Sequence, residues 1–192
     1  MKRILTVLLL LLITITAKSP IKDQALLKRE RLNLYVSFME EKIGVYREEQ
    51  LRMFLHSLGF SESSSNAQIW NEFGYLGKYQ FGKAARKDVG YSHITFNNFR
   101  KDPSIWPEEQ QEEAMIRWLQ LNEMKLKDII VSYDRVVFKG NAITKSGILA
   151  AAHLAGPKGV RVYFESRGEV NPKDAYGTSL EDYLIKFSGY FF

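Results

Sequence analysis

The residue that invites chemistry is Glu62. It stands in Ser61-Glu62-Ser63-Ser64-Ser65-Asn66, just past an amphipathic stretch and just ahead of a segment rich in glycine and aromatic residues. Breaking a glycosidic bond requires a carboxylic acid that keeps its proton near neutral pH, and apolar, partly desolvated surroundings push a glutamate toward that range. Sugar rings offer apolar faces on which aromatic side chains stack, and Trp70, Phe73, Tyr75, Tyr79 and Phe81 follow closely. On spacing alone, the same residues also read as a solvated glutamate at a helix end and a set of core rings. A second carboxylate would permit hydrolysis through an activated water. Glu72 and Asp88 are the nearest downstream, and for each a solvated surface acid is the better reading.

Other chemistries find less support. The chain has no cysteine, which excludes disulfides, Cys-based metal sites and a lipid-modified N-terminal cysteine. His56, His93 and His153 lack ligand spacing, so neither a metal nor another cofactor is expected. His153 reads either as a proton shuttle or as a core histidine bonded to a carbonyl. Gly156 and Gly159 around Pro157 suit an anion cradle or a plain helix-end turn, and Lys158 and Arg161 suit acidic ligands or an ordinary solvated face. The formal charge of +5 fits an acidic polymer, but no basic run is dense enough to predict nucleic-acid binding.

Helices must position these groups. Residues 21–58 carry apolar residues among charges, with Leu51, Phe54, Leu55 and Leu58 on one face and Gly59 as the expected stop. Small polar residues and glycines from Ser61 to Gly82 predict loops and short turns. Pro107 followed by Glu108, Glu109, Glu112 and Glu113 predicts a helix with Pro107 as its first residue. Thr144 is the expected N-cap of a helix through the apolar run Ile148 to Leu154. Thr178 with Glu181 reads as a capping box opening a last helix. Val131 to Phe138 is the one convincing strand. The fold class expected is mainly α, with minimal β, in a single domain.

Four segments, in order, resemble motifs of the bacterial lytic transglycosylases, which share a fold with goose-type lysozymes. Glu62-Ser63 resembles the Glu-Ser pair that closes a helix in that family. Gly74, Gly77 and Gln80 match its Gly-x-x-Gly-Leu-Met-Gln segment, Leu149 to Val160 its Ala-Tyr-Asn-Ala-Gly-Pro-Gly-x-Val block, and Tyr183-Leu184 its late Tyr-Val pair. The family's tyrosine and asparagine fall on His153 and Leu154, and its Leu-Met on Lys78-Tyr79, which marks a divergent branch akin to phage- or secretion-associated wall lysins. The resemblance implies a lysozyme-like fold (α+β with minimal β) and peptidoglycan glycan strands as partner. It implies cleavage of the MurNAc-GlcNAc β-1,4 bond with Glu62 as catalytic acid and base. Ser63, Tyr75, Tyr79, Gln80, His153 and Tyr183 would contact acid or substrate. A non-catalytic wall-binding module of the same fold is the alternative.

The N-terminus predicts export. Met1-Lys2-Arg3 precedes an uncharged stretch, Ile4 to Ile15, which is shorter than the about 20 residues that a membrane span requires. The expected organisation is a signal peptide over 1–17, a helical segment over 18–50 and the lysozyme-like domain over 51–192, in the periplasm or cell envelope or secreted. An uncleaved signal segment would be the only contact with the membrane.

Overall fold

A computed structural model describes residues 21–192; the expected signal peptide lies outside the described residues. The chain is mainly helical and divides into two units, one through Val45 and one from Tyr46 to Phe192. The described part of the first unit is helix, rich in the good helix formers Leu, Glu, Lys and Arg. Its Leu32, Leu34 and Tyr35 are exposed. Among the described residues no helix is long and apolar enough to cross a membrane.

Helix α1 (Ile21–Ser63) enters the second unit and is followed by α2 (Lys83–Asp88), α3 (Phe96–Lys101), a 3-10 turn (Pro103–Ile105), α4 (Glu108–Lys125) and α5 (Lys127–Tyr133). A two-residue hairpin, β1 (Val137–Phe138) and β2 (Asn141–Ala142), leads to α6 (Lys145–Glu165) and α7 (Leu180–Lys186). The hairpin pairs Val137 with Ala142 and Phe138 with Asn141. Lys139 and Gly140 turn it with positive φ at both positions, as a tight two-residue turn demands.

The core of the second unit gathers Phe54 and Leu58 of α1, Met115 and Trp118 of α4, Ile148 to Ala152 of α6, and Leu180 and Leu184 of α7. Burying each large apolar side chain contributes about 1.5–3 kcal/mol. Ser146 at the start of α6 donates to the Phe187 carbonyl at the end of α7 (2.7 Å), so the two helices are tied through a buried polar bond as well.

Several boundaries differ from the sequence expectation. Helix α1 does not stop at Gly59 but continues to Ser63. Gly59 serves instead to let the Lys78 side chain approach, since a Cβ there would lie 2.8 Å from it. Of the expected strand Val131–Phe138, the first three residues complete α5 and the next three turn the chain. Leu126, Ile129, Ile130 and Tyr133 bury one helical face of this region, and only Val137–Phe138 pairs as β. Pro107 precedes α4 as its N-cap instead of opening it. The cap of α7 is Ser179 with Asp182, one residue later than Thr178 with Glu181. Thr144 does cap α6, accepting from the Gly147 amide.

The loop from Ser64 to Gly82 has little regular structure, and buried polar groups hold it. Gln111, with no exposed surface, accepts from the Lys78 amide (2.7 Å) and donates to the carbonyls of Ala67 (2.8 Å) and Trp106 (2.7 Å). Gly77, at φ +73°, leaves room for this amide; a Cβ would fall 2.2 Å from its oxygen. Beside it, the Lys78 ammonium meets Glu108 (2.8 Å) and Glu112 (2.5 Å), and the Tyr79 hydroxyl donates to Glu112 (2.7 Å). Burial pulls the Lys78 ammonium down, but the two glutamates outweigh it and hold it above the usual lysine value. Arg86, only 3% exposed, spends its guanidinium on the carbonyls of Ile94, Gly74 and Phe81. Replacing Gln111 with Leu strands a buried amide and two buried carbonyls, each worth about 1–3 kcal/mol. Urea denaturation is expected to show Gln111→Leu destabilised by at least about 2 kcal/mol, and an unchanged midpoint would refute this account of the loop.

Candidate functional site

Glu62 occupies the last turn but one residue of α1. The helix is stopped by Ser64 and Ser65, both with positive φ (55° and 62°), whose amides return to the carbonyls of Phe60 (2.9 Å) and Gly59 (3.0 Å). Ser63 secures the exit. Its hydroxyl donates to the Lys78 carbonyl (2.7 Å) and accepts from the Asn66 amide (3.0 Å). The loop that Gln111 pins from one side is therefore pinned to the helix end from the other.

Glu62 itself is 16% exposed. The Tyr183 hydroxyl, from α7, donates to its Oε1 at 2.5 Å. His153, from α6, brings Nε2 to within 3.8 Å of the same oxygen. That is too long for a hydrogen bond, and Nε2 is already engaged with the Tyr79 carbonyl at 2.8 Å. Because a carbonyl only accepts, Nε2 carries the proton, and buried Nδ1 is left without a partner among the described residues. The geometry matches the carbonyl-bonded reading of His153, with the ring near the carboxylate but not hydrogen-bonded to it. Burial pushes the Tyr183 phenol up, and the neighbouring Glu62 carboxylate pushes it further. With one carboxylate oxygen held by Tyr183, Oε2 accepts no hydrogen bond among the described residues.

These groups open onto a cleft of about 660 Å³. Trp70, Phe73 and Tyr75 line one wall and are substantially exposed, at 39%, 55% and 44%. Tyr176 lines the cleft as well and meets Phe73 edge to face at 6.0 Å between ring centres. Gln80, at φ +47°, lies in the cleft with its amide donating to the Gly77 carbonyl (2.8 Å). Charges of both signs surround the opening, including Lys173, Lys186 and Asp174.

Of the predicted site residues, Glu62, Tyr75, Gln80, His153 and Tyr183 line one cleft. Ser63 stands behind the acid as a structural clamp. Tyr79 does not reach the groove: it is fully buried, its hydroxyl taken by Glu112, and burial with that carboxylate pushes the phenol well above its usual range. Phe81 is fully buried too. Glu72 lies exposed outside the cleft lining, and Asp88 pairs with Lys125 (3.1 Å). Arg161 is held by Asp128 through both guanidinium nitrogens (2.6 and 2.8 Å), so it is not free for an acidic ligand. The Arg161 guanidinium in turn holds the Asp128 carboxyl down at about 2.

The sequence reading missed the loop after α6. Asp174 accepts from the amides of Tyr176 (2.9 Å) and Thr178 (2.8 Å), a turn that presents Asp174 and Tyr176 to the cleft. The Asp-x-x-Gly spacing of Asp174 and Gly177 signals such a turn, but not its distant partner wall.

No protein-family model, curated protein or solved structure matches this chain.

The phenol of Tyr183 gives the site a measurable signature. An unfolded tyrosine ionises near about 10, whereas folded Tyr183 holds its proton to higher pH, so the unfolded state loses the proton first. Stability is complete below about 10 and is lost as pH rises above it, by up to about 1.4 kcal/mol per pH unit for each such phenol. Denaturation between pH 9 and 11.5 is expected to show a shallower loss for Tyr183→Phe than for the parent; parallel curves would place Tyr183 in solvent.

Proposed function

We propose that this protein cleaves peptidoglycan glycan strands at the MurNAc-GlcNAc β-1,4 bond, as a lytic transglycosylase of lysozyme-like fold acting in the cell envelope. The observation that carries the reading is the convergence of Glu62, Gln80, His153 and Tyr183, from four separate segments, on one aromatic-walled cleft. Glu62 gives its proton to the glycosidic oxygen, and the bond from that oxygen to C1 of the muramyl sugar breaks. The muramyl 6-hydroxyl then attacks C1 and returns its proton to the Glu62 carboxylate, leaving a 1,6-anhydro product. Tyr183 fixes Oε1 throughout, which leaves Oε2 as the oxygen that meets substrate. Exposed Trp70, Phe73, Tyr75 and Tyr176 supply the stacking faces for sugar rings.

Two observations favour neighbouring readings. Asp174 lines the same cleft and supplies the second carboxylate that hydrolysis would use. Leu154 also lines it, where the resembling family has an asparagine, and a missing polar contact suits a binding module that does not cut.

Digestion of purified peptidoglycan by the full chain, with products read by mass spectrometry, separates these readings. Anhydro-muropeptides are expected, with Glu62→Gln slower by at least about a thousandfold. Reducing ends would replace the transglycosylase with a hydrolase. Binding to the wall without any release of products would replace the enzyme with a binding module.

A further inference from the structure

A second cavity, of about 700 Å³, lies beside the Glu62 cleft and is lined by α2, α3 and the loops around them. Phe73 belongs to the lining of both, so the two spaces meet at this residue. A second aromatic contact crosses the same boundary: Trp70 of the cleft meets Phe96 of the cavity edge to face at 5.5 Å.

The two spaces differ in charge. The cleft mixes acids and bases, whereas the second cavity is lined by Lys83, Arg86 and Lys87 and by no acidic residue. Lys83 and Lys87 are exposed, and among the described residues neither forms an ion pair. Arg86 is the more telling. It is 3% exposed, and its partners are three carbonyl oxygens, none of them a carboxylate. A buried cation with only neutral partners retains an unbalanced charge in a poorly screened setting, and an anion entering the cavity would balance it. Ser92, Thr95 and Asn97 add neutral polar groups to the lining beside these cations.

We propose that this cavity binds the carboxylates of the peptide stems carried by the same polymer whose glycan lies in the Glu62 cleft. The inference rests on the peptidoglycan reading of that cleft. A strand seated against Glu62 carries its stems outward from the sugar, and the cavity that shares Phe73 with the cleft presents cations and no acid. The stem carboxylates meet Lys83 and Lys87 directly, while Arg86 supplies the field from beneath.

Binding, with catalysis removed, tests this. The full chain carrying Glu62→Gln is sedimented with intact peptidoglycan and with the same polymer after its peptide carboxylates are converted to methylamides. The acidic polymer is expected to bind about tenfold more tightly than the amidated one at low salt, with the difference shrinking as salt rises. Adding Lys83→Ala and Lys87→Ala, both exposed positions, is expected to bring that affinity ratio close to one. A ratio that stays at the parent's value in the lysine variant overturns the proposal, as does a parent that binds both polymers equally, and either result leaves the Glu62 cleft reading standing. A parent that binds neither polymer overturns both.

Discussion

The buried amide of Gln111 is the interaction on which the site depends. One side chain from α4 satisfies the amide of Lys78 and the carbonyls of Ala67 and Trp106, three backbone groups that no regular element would otherwise pair. A loop with this many left-handed residues has little intrinsic preference for one shape, and its ordering costs about 1–2 kcal/mol per residue in backbone entropy. Buried, fully satisfied polar contacts offset part of that cost and exclude alternative shapes, because any slip would strand an amide or a carbonyl away from water. The ion pairs of Lys78 and the Tyr79 hydroxyl extend the same anchorage along α4. The cleft side of the loop is held in addition by Asn71, whose side-chain oxygen accepts from the Phe73 and Tyr75 amides, and by Gln80, which donates to the Gly77 carbonyl.

Glu62 is held by the complementary device. Its backbone ends a long helix, its neighbour Ser63 is bonded to the Lys78 carbonyl, and its carboxylate is bonded to a tyrosine from the last helix of the chain. Helix α7 is fixed on α6 by apolar packing and by the Ser146 bond to Phe187, and α6 carries His153. The acid therefore sits at a junction of three helices and one loop, with each wall of the cleft supplied by a different part of the sequence. Such a junction suits a group that must be rigid while its surroundings stay open to a long ligand.

Much of this was legible in the residues. Helical periodicity placed α1, α4, α6 and α7, and Thr144 was identifiable as a cap because its hydroxyl precedes an apolar run. Gly74, Gly77 and Gln80 marked the loop on the cleft's edge. The misreadings have physical causes. Gly59 looked like a helix stop because glycine tolerates a left-handed conformation, but here its missing side chain admits Lys78, a contact 19 positions away that no local pattern announces. Val131 to Phe138 looked like one strand because β-branched and aromatic residues cluster there, but its first three residues complete α5, whose Ile129, Ile130 and Tyr133 pack on the core, and only its last two pair as β. Tyr79 and Tyr75 are of one type and four positions apart, yet one is sealed against α4 and the other exposed. Only the tertiary arrangement separates them. Asp174 and Tyr176 were overlooked because their partner wall lies about a hundred residues upstream.

The position of Phe73 has a consequence for how the two cavities behave together. A residue that lines both spaces is the point at which a ligand in one meets the wall of the other. Thermodynamic reciprocity then applies: by whatever factor occupancy of the first changes affinity at the second, occupancy of the second changes affinity at the first by that same factor. Its edge-to-face contact with Tyr176 sets the loop after α6 against the same ring. Any coupling between the two spaces therefore runs through one side chain, Phe73, and the Tyr176 ring set against it.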